Sequence, residues 1–168
     1  MSSVAEVIRR NKTGNWDISG LEVLGGRFII DEEGGGIKHG LVIGNIFCIF
    51  DEHLQNSHLQ VHRRLGVFLT DEDMAMPDIM VVGDNAVSNN WGVFGSPDII
   101  VEVISCHSEA RDKGYKKDLY ERCGVGEYWI VDAERQIIET YLLADDKYVL
   151  GETSLSLDKS KIFEDIDI

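Results

Sequence analysis

The sequence contains few of the residues that mark several common protein classes. Only two of its 168 residues are proline and three are cysteine, at positions 48, 106 and 123. The cysteines show no paired metal-ligand spacing, and their odd number argues against a disulfide framework. The longest apolar run, residues 41–50, is too short to cross a bilayer, and no signal peptide is visible. We therefore expect a reducing, cytoplasmic setting and no membrane contact.

Basic residues are also scarce. Sixteen Lys and Arg against thirty Asp and Glu give a formal net charge of −14. Such a charge repels a polyanion over most of the surface, which excludes a general electrostatic coating of nucleic acid. Nucleic-acid contact would need a local basic patch or a bridging cation. The densest patch includes Arg111, Lys113 and Lys117, and a smaller one is Arg63-Arg64, although a solvated helix face paired with acids explains most of these positions equally well.

No internal repeat or low-complexity linker divides the chain, and 168 residues provide enough interior for two layers. We expect one domain over residues 1–168, with residues 1–20 as a loose N-terminal arm that contains a short helix. The following segments are predicted as a strand (27–30), a long helix (37–59), two strands (65–69 and 79–82) and a polar loop (85–95). A hairpin over residues 137–150 comes late, and residues 155–168 are expected to form an edge segment.

The chemistry is concentrated in the strand over residues 99–104, which is β-branched and apolar except for Glu102. This composition is typical of a strand buried on both faces. An ionised Glu there costs several kcal/mol unless a positive group meets it. A helix from Glu109 to Arg122 and a strand over 128–131 follow, so the helix is expected to lie across the sheet above Glu102. Lys116 is one of the lysines that could then reach the carboxylate.

Two Pro-Asp pairs precede neighbouring predicted strands, with Asp78 before one and Asp98 before the next. Carboxylates brought together on adjacent strands repel each other, and Mg²⁺ bound by their oxygens relieves this repulsion. A cation held there could activate water and neutralise charge on a phosphoryl group, and a nearby lysine could assist. On spacing alone, an alternative is equally good: both aspartates are turn residues after proline, and Glu102 only pairs with a lysine.

Taken in order, these motifs resemble a known family. Pro77-Asp78, Pro97-Asp98, Glu102, Lys116, Tyr120 and Gly124-Val125 are similar to the pattern of the Uma family, bacterial proteins described as endonucleases of the PD-(D/E)XK superfamily. The segment from His39 to Asn45 also resembles the first helix of that family. The resemblance covers most of the chain from about residue 28. It implies an α/β (α+β) fold, a restriction-endonuclease-like mixed β-sheet flanked by helices, with a C-terminal β-hairpin.

The resemblance also implies a site. Asp78 corresponds to the PD aspartate and Glu102 to the following acid, and the backbone carbonyl of Val103 is expected as a further ligand of Mg²⁺ or Mn²⁺. The lysine that ordinarily stands two positions after this acid is absent, and Lys116 is expected to take its role. The secondary candidates are His39, Asp98 and Tyr120, where Tyr120 is expected to pack beneath Lys116 and Asp98 to support the structure.

One position departs from the family pattern. The family's early Glu, in a Glu-Leu-Ile-Asp-Gly-Glu strand, aligns with Phe28, so an accessory acid is expected to be missing unless Glu32 or Glu33 replaces it. The leading expectation is a metal-dependent endonuclease that cleaves DNA, with RNA as a weaker choice of substrate. A homodimer is the assembly that such nucleases often adopt. The alternative is a catalytically retired protein that keeps the fold as a binding or interaction module, which the acidity and Phe28 favour.

Overall fold

The computed structural model describes residues 3–12, 20–30, 35–155 and 157–166. The helices are α1 (Ser3–Lys12), α2 (Gly36–Leu54), α3 (Glu109–Arg111), a π-helical turn (Asp112–Lys116), α4 (Lys117–Arg122) and a 3-10 helix (Lys159–Phe163). The strands are β1 (Leu21–Leu24), β2 (Arg27–Ile30), β3 (Gln60–Arg63), β4 (Val67–Phe68), β5 (Met74–Ala75), β6 (Ile79–Val82), β7 (Ala86–Asn89), β8 (Gly92–Gly95), β9 (Ile99–Ile104), β10 (Glu127–Asp132), β11 (Ile137–Ala144) and β12 (Lys147–Leu150).

In the described part of the chain the strands form two mixed sheets of six strands each. Sheet A has the order β2-β1-β5-β4-β8-β7, and sheet B has the order β12-β11-β10-β9-β6-β3. In sheet B, β9 and β10 are parallel and are joined by the crossover helix, which comprises α3, the π-turn and α4. Strand β6 pairs antiparallel with β9. The strand that follows Asp78 and the strand that contains Glu102 are therefore neighbours, which confirms the predicted mixed sheet.

Sheet B is covered on both faces, and the alternation of side chains along its strands decides what each face contacts. Val101 and Val103 share a core cluster with α2, whereas Ile100 and Ile104 share one with Tyr120 of the crossover helix and with residues of sheet A. Glu102 lies between Ile100 and Ile104 on the same face of β9. Its side chain is therefore directed towards the crossover helix, as the sequence predicts.

The chain passes from sheet A to sheet B at residues 76–78. Strand β5 ends at Ala75 in sheet A, and β6 begins at Ile79 in sheet B. The amide of Met76 donates a hydrogen bond of 2.9 Å to Glu22 Oε1 on β1. This contact holds the connecting segment against sheet A just before Asp78 and β6.

Three sequence predictions were wrong in detail. The loop predicted over residues 85–95 is the hairpin β7–β8, closed by a turn in which the amide of Trp91 donates to Asn89 Oδ1 at 2.8 Å. The helix predicted over 37–59 ends at Leu54, whose carbonyl accepts the Ser57 hydroxyl at 2.8 Å. The described part of residues 155–168 is not an edge segment, because it contains the 3-10 helix and buries Ile162 against the α2 side of sheet B.

Within the predicted N-terminal arm, residues 3–12 are helical. Val4 and Val7 of α1 are buried in a cluster with Leu21 and Val23 of β1, so this part of the arm is packed. Residues 13–19 lie outside the described part of the chain. Among the residues that are described, no helix has both the length and the apolar character required to cross a membrane.

Candidate active site

A buried lysine occupies the space between the crossover helix, β9 and β1. Lys116 Nζ lies 2.8 Å from Glu102 Oε1, 2.8 Å from Glu22 Oε1 and 3.5 Å from Asp112 Oδ1. All four side chains are at most 5% exposed. A single ammonium group is thus surrounded by three carboxyl groups that water does not screen.

The lysine reaches this position from the π-helical turn. Asp112 begins the turn and Lys116 ends it, and both are buried. A π-turn accommodates an extra residue within a helix, and such turns are frequent at functional sites. Here the turn directs Asp112 and Lys116 towards β1 and β9, while Tyr115 donates a 2.6 Å hydrogen bond to Asp73 on the loop before β5. A regular helix was expected over these residues.

Asp78 lies beside the main chain of β9. Its Oδ2 accepts a 2.8 Å hydrogen bond from the amide of Val103. The carbonyl of Val103 accepts a 2.6 Å hydrogen bond from His39 Nε2 on α2. This nitrogen is 3.7 Å from Asp78 Oδ2. His39, Asp78 and Val103 therefore form one contact group, adjacent to the group around Lys116.

The remaining predicted residues are divided between the site and the surface. Tyr120 is buried and donates a 2.8 Å hydrogen bond to Glu102 Oε1, so it contacts the acid directly. Asp98 lies away from the site, where its Oδ2 accepts from the amide of Gly83 at 2.6 Å.

The basic residues of the crossover helix contact acids and an aromatic ring. Lys113 pairs with Glu139 at 2.9 Å and Glu109 at 3.3 Å, and Lys117 Nζ lies 3.7 Å from the ring centroid of Tyr141. Arg111 Nε is 3.5 Å from Glu22 Oε2.

The structure adds to the site an acid that the sequence analysis did not single out, Glu22. Phe28 is half exposed on β2, whereas Glu22 is 3% exposed and contacts Lys116 directly. The stretch Glu22-Val23-Leu24-Gly25-Gly26 is similar to the family's Glu-Leu-Ile-Asp-Gly, so we propose that Glu22, and not a residue at position 28, is the accessory acid. Glu32 and Glu33 lie outside the described residues. The signal in the sequence was an acid inside a short apolar run, as at Glu102.

Burial and neighbouring charges shift the protonation of this cluster. Burial raises the pKa of Glu102 well above its ordinary value; Lys116 opposes the shift, and the other acids add to it. Burial alone would lower the pKa of Lys116, but Glu102, Glu22 and Asp112 outweigh it and hold that pKa well above the ordinary value. Burial likewise raises the pKa of Asp78, against the opposing effect of His39. Lys116 is therefore a fixed cation, and the two acids bind protons more tightly than usual.

The two contact groups line one cavity of about 50 Å³, whose walls include Glu22, Asp78, Glu102, Val103 and Lys116. Glu22 Oε2 and Asp112 Oδ1 are buried there without a hydrogen-bond donor. Each of these oxygens is nevertheless within ion-pair distance of a cation: Glu22 Oε2 is 3.5 Å from Arg111 Nε, and Asp112 Oδ1 is 3.5 Å from Lys116 Nζ. The walls hold four acids against Arg64, Arg111, Lys116 and His39.

The carboxylate and carbonyl oxygens of this site suit Mg²⁺. In the described residues, no three His, Cys, Asp or Glu side chains are placed to hold a metal ion between them. Mg²⁺ does not require such a cage, since it is commonly bound by one or two carboxylates and keeps several waters. Asp78 and Glu102, with the Val103 carbonyl, meet that requirement in chemistry and in number.

The fold and the buried acid–lysine cluster define a restriction-endonuclease-like protein. A family model described as "Uma2: Putative restriction endonuclease" matches residues 17–166, and the chain belongs to this family. The family assignment confirms the resemblance seen in the sequence.

A solved structure supports the fold. A protein from Anabaena variabilis, described as a "putative nuclease belonging to DUF820", matches with a TM-score of 0.71. The match covers 88% of this chain and 91% of that chain at 15% identity, so the likeness concerns the fold alone. No match is found among curated proteins.

Proposed function

We propose that this chain is a metal-dependent endonuclease that hydrolyses phosphodiester bonds in DNA. The observation that carries the proposal is the convergence of Asp78, Glu102 and Lys116 on one cavity, in a chain of a restriction-endonuclease family. Two acids and a lysine are the groups that cation-assisted phosphodiester cleavage requires. A location in the cytoplasm and assembly as a homodimer remain parts of this proposal.

Asp78 and Glu102 would hold Mg²⁺ or Mn²⁺, with the Val103 carbonyl as a third ligand. When bound, such a cation polarises a phosphoryl oxygen and lowers the pKa of a coordinated water. The Val103 carbonyl already accepts a hydrogen bond from His39, so a cation at this oxygen competes with His39. Tyr120 donates to Glu102 and holds the carboxylate in place.

Lys116 acts as a cation and not as a general base, because its neighbours keep its pKa well above the ordinary value. Its ammonium group can orient the attacking water or stabilise the charge that develops on the phosphoryl oxygens. Glu22 Oε1 and Asp112 Oδ1 lie 2.8 and 3.5 Å from Lys116 Nζ, and these contacts position the lysine in the cavity.

The proposal is tested by incubating purified protein with supercoiled plasmid and Mg²⁺ or Mn²⁺. Wild-type protein is expected to nick the plasmid, and Asp78→Asn, Glu102→Gln and Lys116→Met are each expected to lower the rate by about 10²-fold or more, because each removes a charge that acts in the transition state. Asp118→Asn is the matched control, since Asp118 is exposed on the same crossover helix.

Two other results would change the proposal. Cleavage of RNA without cleavage of DNA would change the substrate class. Intact plasmid and intact RNA in the presence of either cation would contradict nuclease activity and favour the retired, non-catalytic alternative. If Glu22 takes the role of the accessory acid, position 28 no longer favours that alternative, and the contact between Glu22 and Lys116 supports this role.

A further inference from the structure

A second concave surface, here called the α2 groove, adjoins the candidate active site. It measures about 440 Å³, and its walls include Gly36, Gly40 and Arg63. It shares three wall residues, Gly35, His39 and Arg64, with the cavity that contains Asp78 and Lys116. A chain-like ligand bound at the active site can therefore continue into the α2 groove.

The α2 groove differs in charge from the rest of this acidic molecule. Arg63 and Arg64 are both exposed, and none of the described residues that line the groove is acidic. Across the described ranges of the chain, neither arginine forms an ion pair with a carboxylate. The guanidinium of Arg63 lies over the ring of Phe47, 4.8 Å from its centroid. By contrast, Lys113 on the crossover helix is paired with two glutamates.

The backbone places these arginines next to a proposed metal ligand. Arg63 ends β3 and pairs with Ile79 of β6, and the amide of Arg64 then donates to the carbonyl of Asp78 at 3.2 Å. Arg64 has a φ of 46°, a left-handed conformation that is uncommon for residues other than glycine. Strained backbone of this kind persists where the surrounding structure requires it, and it clusters at ligand sites.

We propose that the α2 groove binds the backbone phosphates of the DNA strand next to the scissile phosphate, through Arg63 and Arg64. This inference rests on the proposed function and names the path of the substrate across the same site. Guanidinium groups bind phosphate through paired N–H donors, and such contacts fix the register of a strand without reading its sequence. This basic surface, which has no acid among the described residues that line it, would thereby offset the repulsion expected from the net charge of −14.

The test measures the binding of a fluorescein-labelled DNA duplex of about 20 base pairs by fluorescence anisotropy. Ca²⁺ replaces Mg²⁺, and the measurement is repeated over a range of salt concentrations. The double variant Arg63→Gln/Arg64→Gln is expected to bind about tenfold more weakly or worse, and its salt slope is expected to be smaller by about 2, or 1 for each lost phosphate contact. Arg27→Gln is the matched control, because Arg27 is exposed and lines neither space.

A steric variant tests the same surface without changing its charge. A Cβ added at Gly40 or at Gly44 would meet no atom within 4 Å, but only Gly40 lines the groove. Gly40→Trp is expected to weaken duplex binding, and Gly44→Trp on the same helix is expected to leave it unchanged.

The outcomes separate this inference from the proposed function. Duplex binding that depends on Arg63 and Arg64, without cleavage in Mg²⁺ or Mn²⁺, would support the groove and contradict the nuclease. Cleavage by wild-type protein, together with unchanged binding and salt slope in the double variant, would overturn the groove and leave the nuclease intact. Failure of the wild-type protein to bind the duplex would overturn the groove as well.

Discussion

Lys116 is the residue whose surroundings define the site. Its ammonium group is 2.8 Å from two carboxylates that come from different sheets, Glu22 in sheet A and Glu102 in sheet B. Removing one partner of a buried ion pair leaves an uncompensated charge, which is far more costly than the loss of a surface pair. The position of Lys116 therefore depends on both sheets being in place.

Glu22 is expected to matter for activity, although it lies on sheet A and not on sheet B with Asp78 and Glu102. Glu22→Gln removes a charge that holds Lys116, and loss of such a supporting contact typically costs about 10- to 100-fold in activity. The measurement is the plasmid-nicking rate in Mg²⁺, with protein stability checked by thermal unfolding. Phe28→Leu, at the half-exposed position once aligned with the family's acid, is expected to keep the wild-type rate.

An unchanged rate in Glu22→Gln, or an equal loss in Phe28→Leu, would contradict this assignment of the accessory acid.

At the scale of single residues the sequence was informative where an acid interrupted a long apolar run. Glu102 stood out because five of the six residues of its strand are β-branched and apolar. Glu22 was overlooked because its strand, Leu21–Leu24, has only four residues and ends at two glycines. The burial of Asp112 in the π-turn was not predicted, since an acid in the first turn of a helix is ordinary.

At the scale of elements, one carboxylate ties together the segments that carry Glu22 and Lys116. Asp73 Oδ1 accepts from the amide of Gly25 at 2.8 Å and from the Tyr115 hydroxyl at 2.6 Å. Its Oδ2 accepts from the Thr70 hydroxyl at 2.7 Å and from Arg122 at 3.2 Å. These contacts join the turn after β1 to the π-turn and to α4.

Asp73→Ala is expected to destabilise the protein by about 2–4 kcal/mol, because it leaves several donors without their buried acceptor. The free energy of unfolding, from urea denaturation at neutral pH, is the measurement. Asp71→Ala in the same loop is the control and is expected to change that energy by less than about 0.5 kcal/mol, since Asp71 is exposed. Equal effects of the two substitutions would show that Asp73 does not stabilise the protein by joining these segments.

The long elements and some of the short ones were predicted. Helix α2, strand β9 and the late hairpin are present, as are the short strands β2 and β6 and, within the strand predicted over residues 65–69, β4. Strand β5 was missed because its two residues are too few for any periodic pattern. Asn, Ser and Gly dominate the hairpin β7–β8 and favour a loop, although Val93 is fully buried.

At the scale of the whole molecule, the sequence predicted sheet B but not sheet A. Sheet B contains the strand–helix–strand unit and its neighbours, which have strong local patterns. Sheet A is assembled from short strands, and two of its pairings, β1 with β5 and β4 with β8, join strands that are far apart in the sequence. The active-site cavity lies where the two sheets meet, so its completeness could not be judged from sheet B alone.

The net charge of the whole molecule gives a bound cation a second role, which is to reduce the repulsion of DNA. With a net charge of −14, the chain approaches DNA against repulsion, and additional buried acids make the region around Glu102 still more negative. A divalent ion at Asp78 and Glu102 would lower that repulsion at the point of contact. Since burial raises the pKa of both acids, the ion must displace protons from them, so its affinity is expected to increase as the pH rises above the ordinary carboxyl range.

Calorimetric titration of metal-free protein with Mn²⁺ is the most direct test of whether these buried acids hold a cation. We expect one Mn²⁺ per chain, bound with release of protons that is visible as a dependence of the heat on the buffer's ionisation enthalpy. Asp78→Asn/Glu102→Gln is expected to abolish this binding, whereas Asp118→Asn retains it. Absence of binding to the wild-type protein, or equal binding to the double variant, would contradict the metal site and the nuclease mechanism built on it.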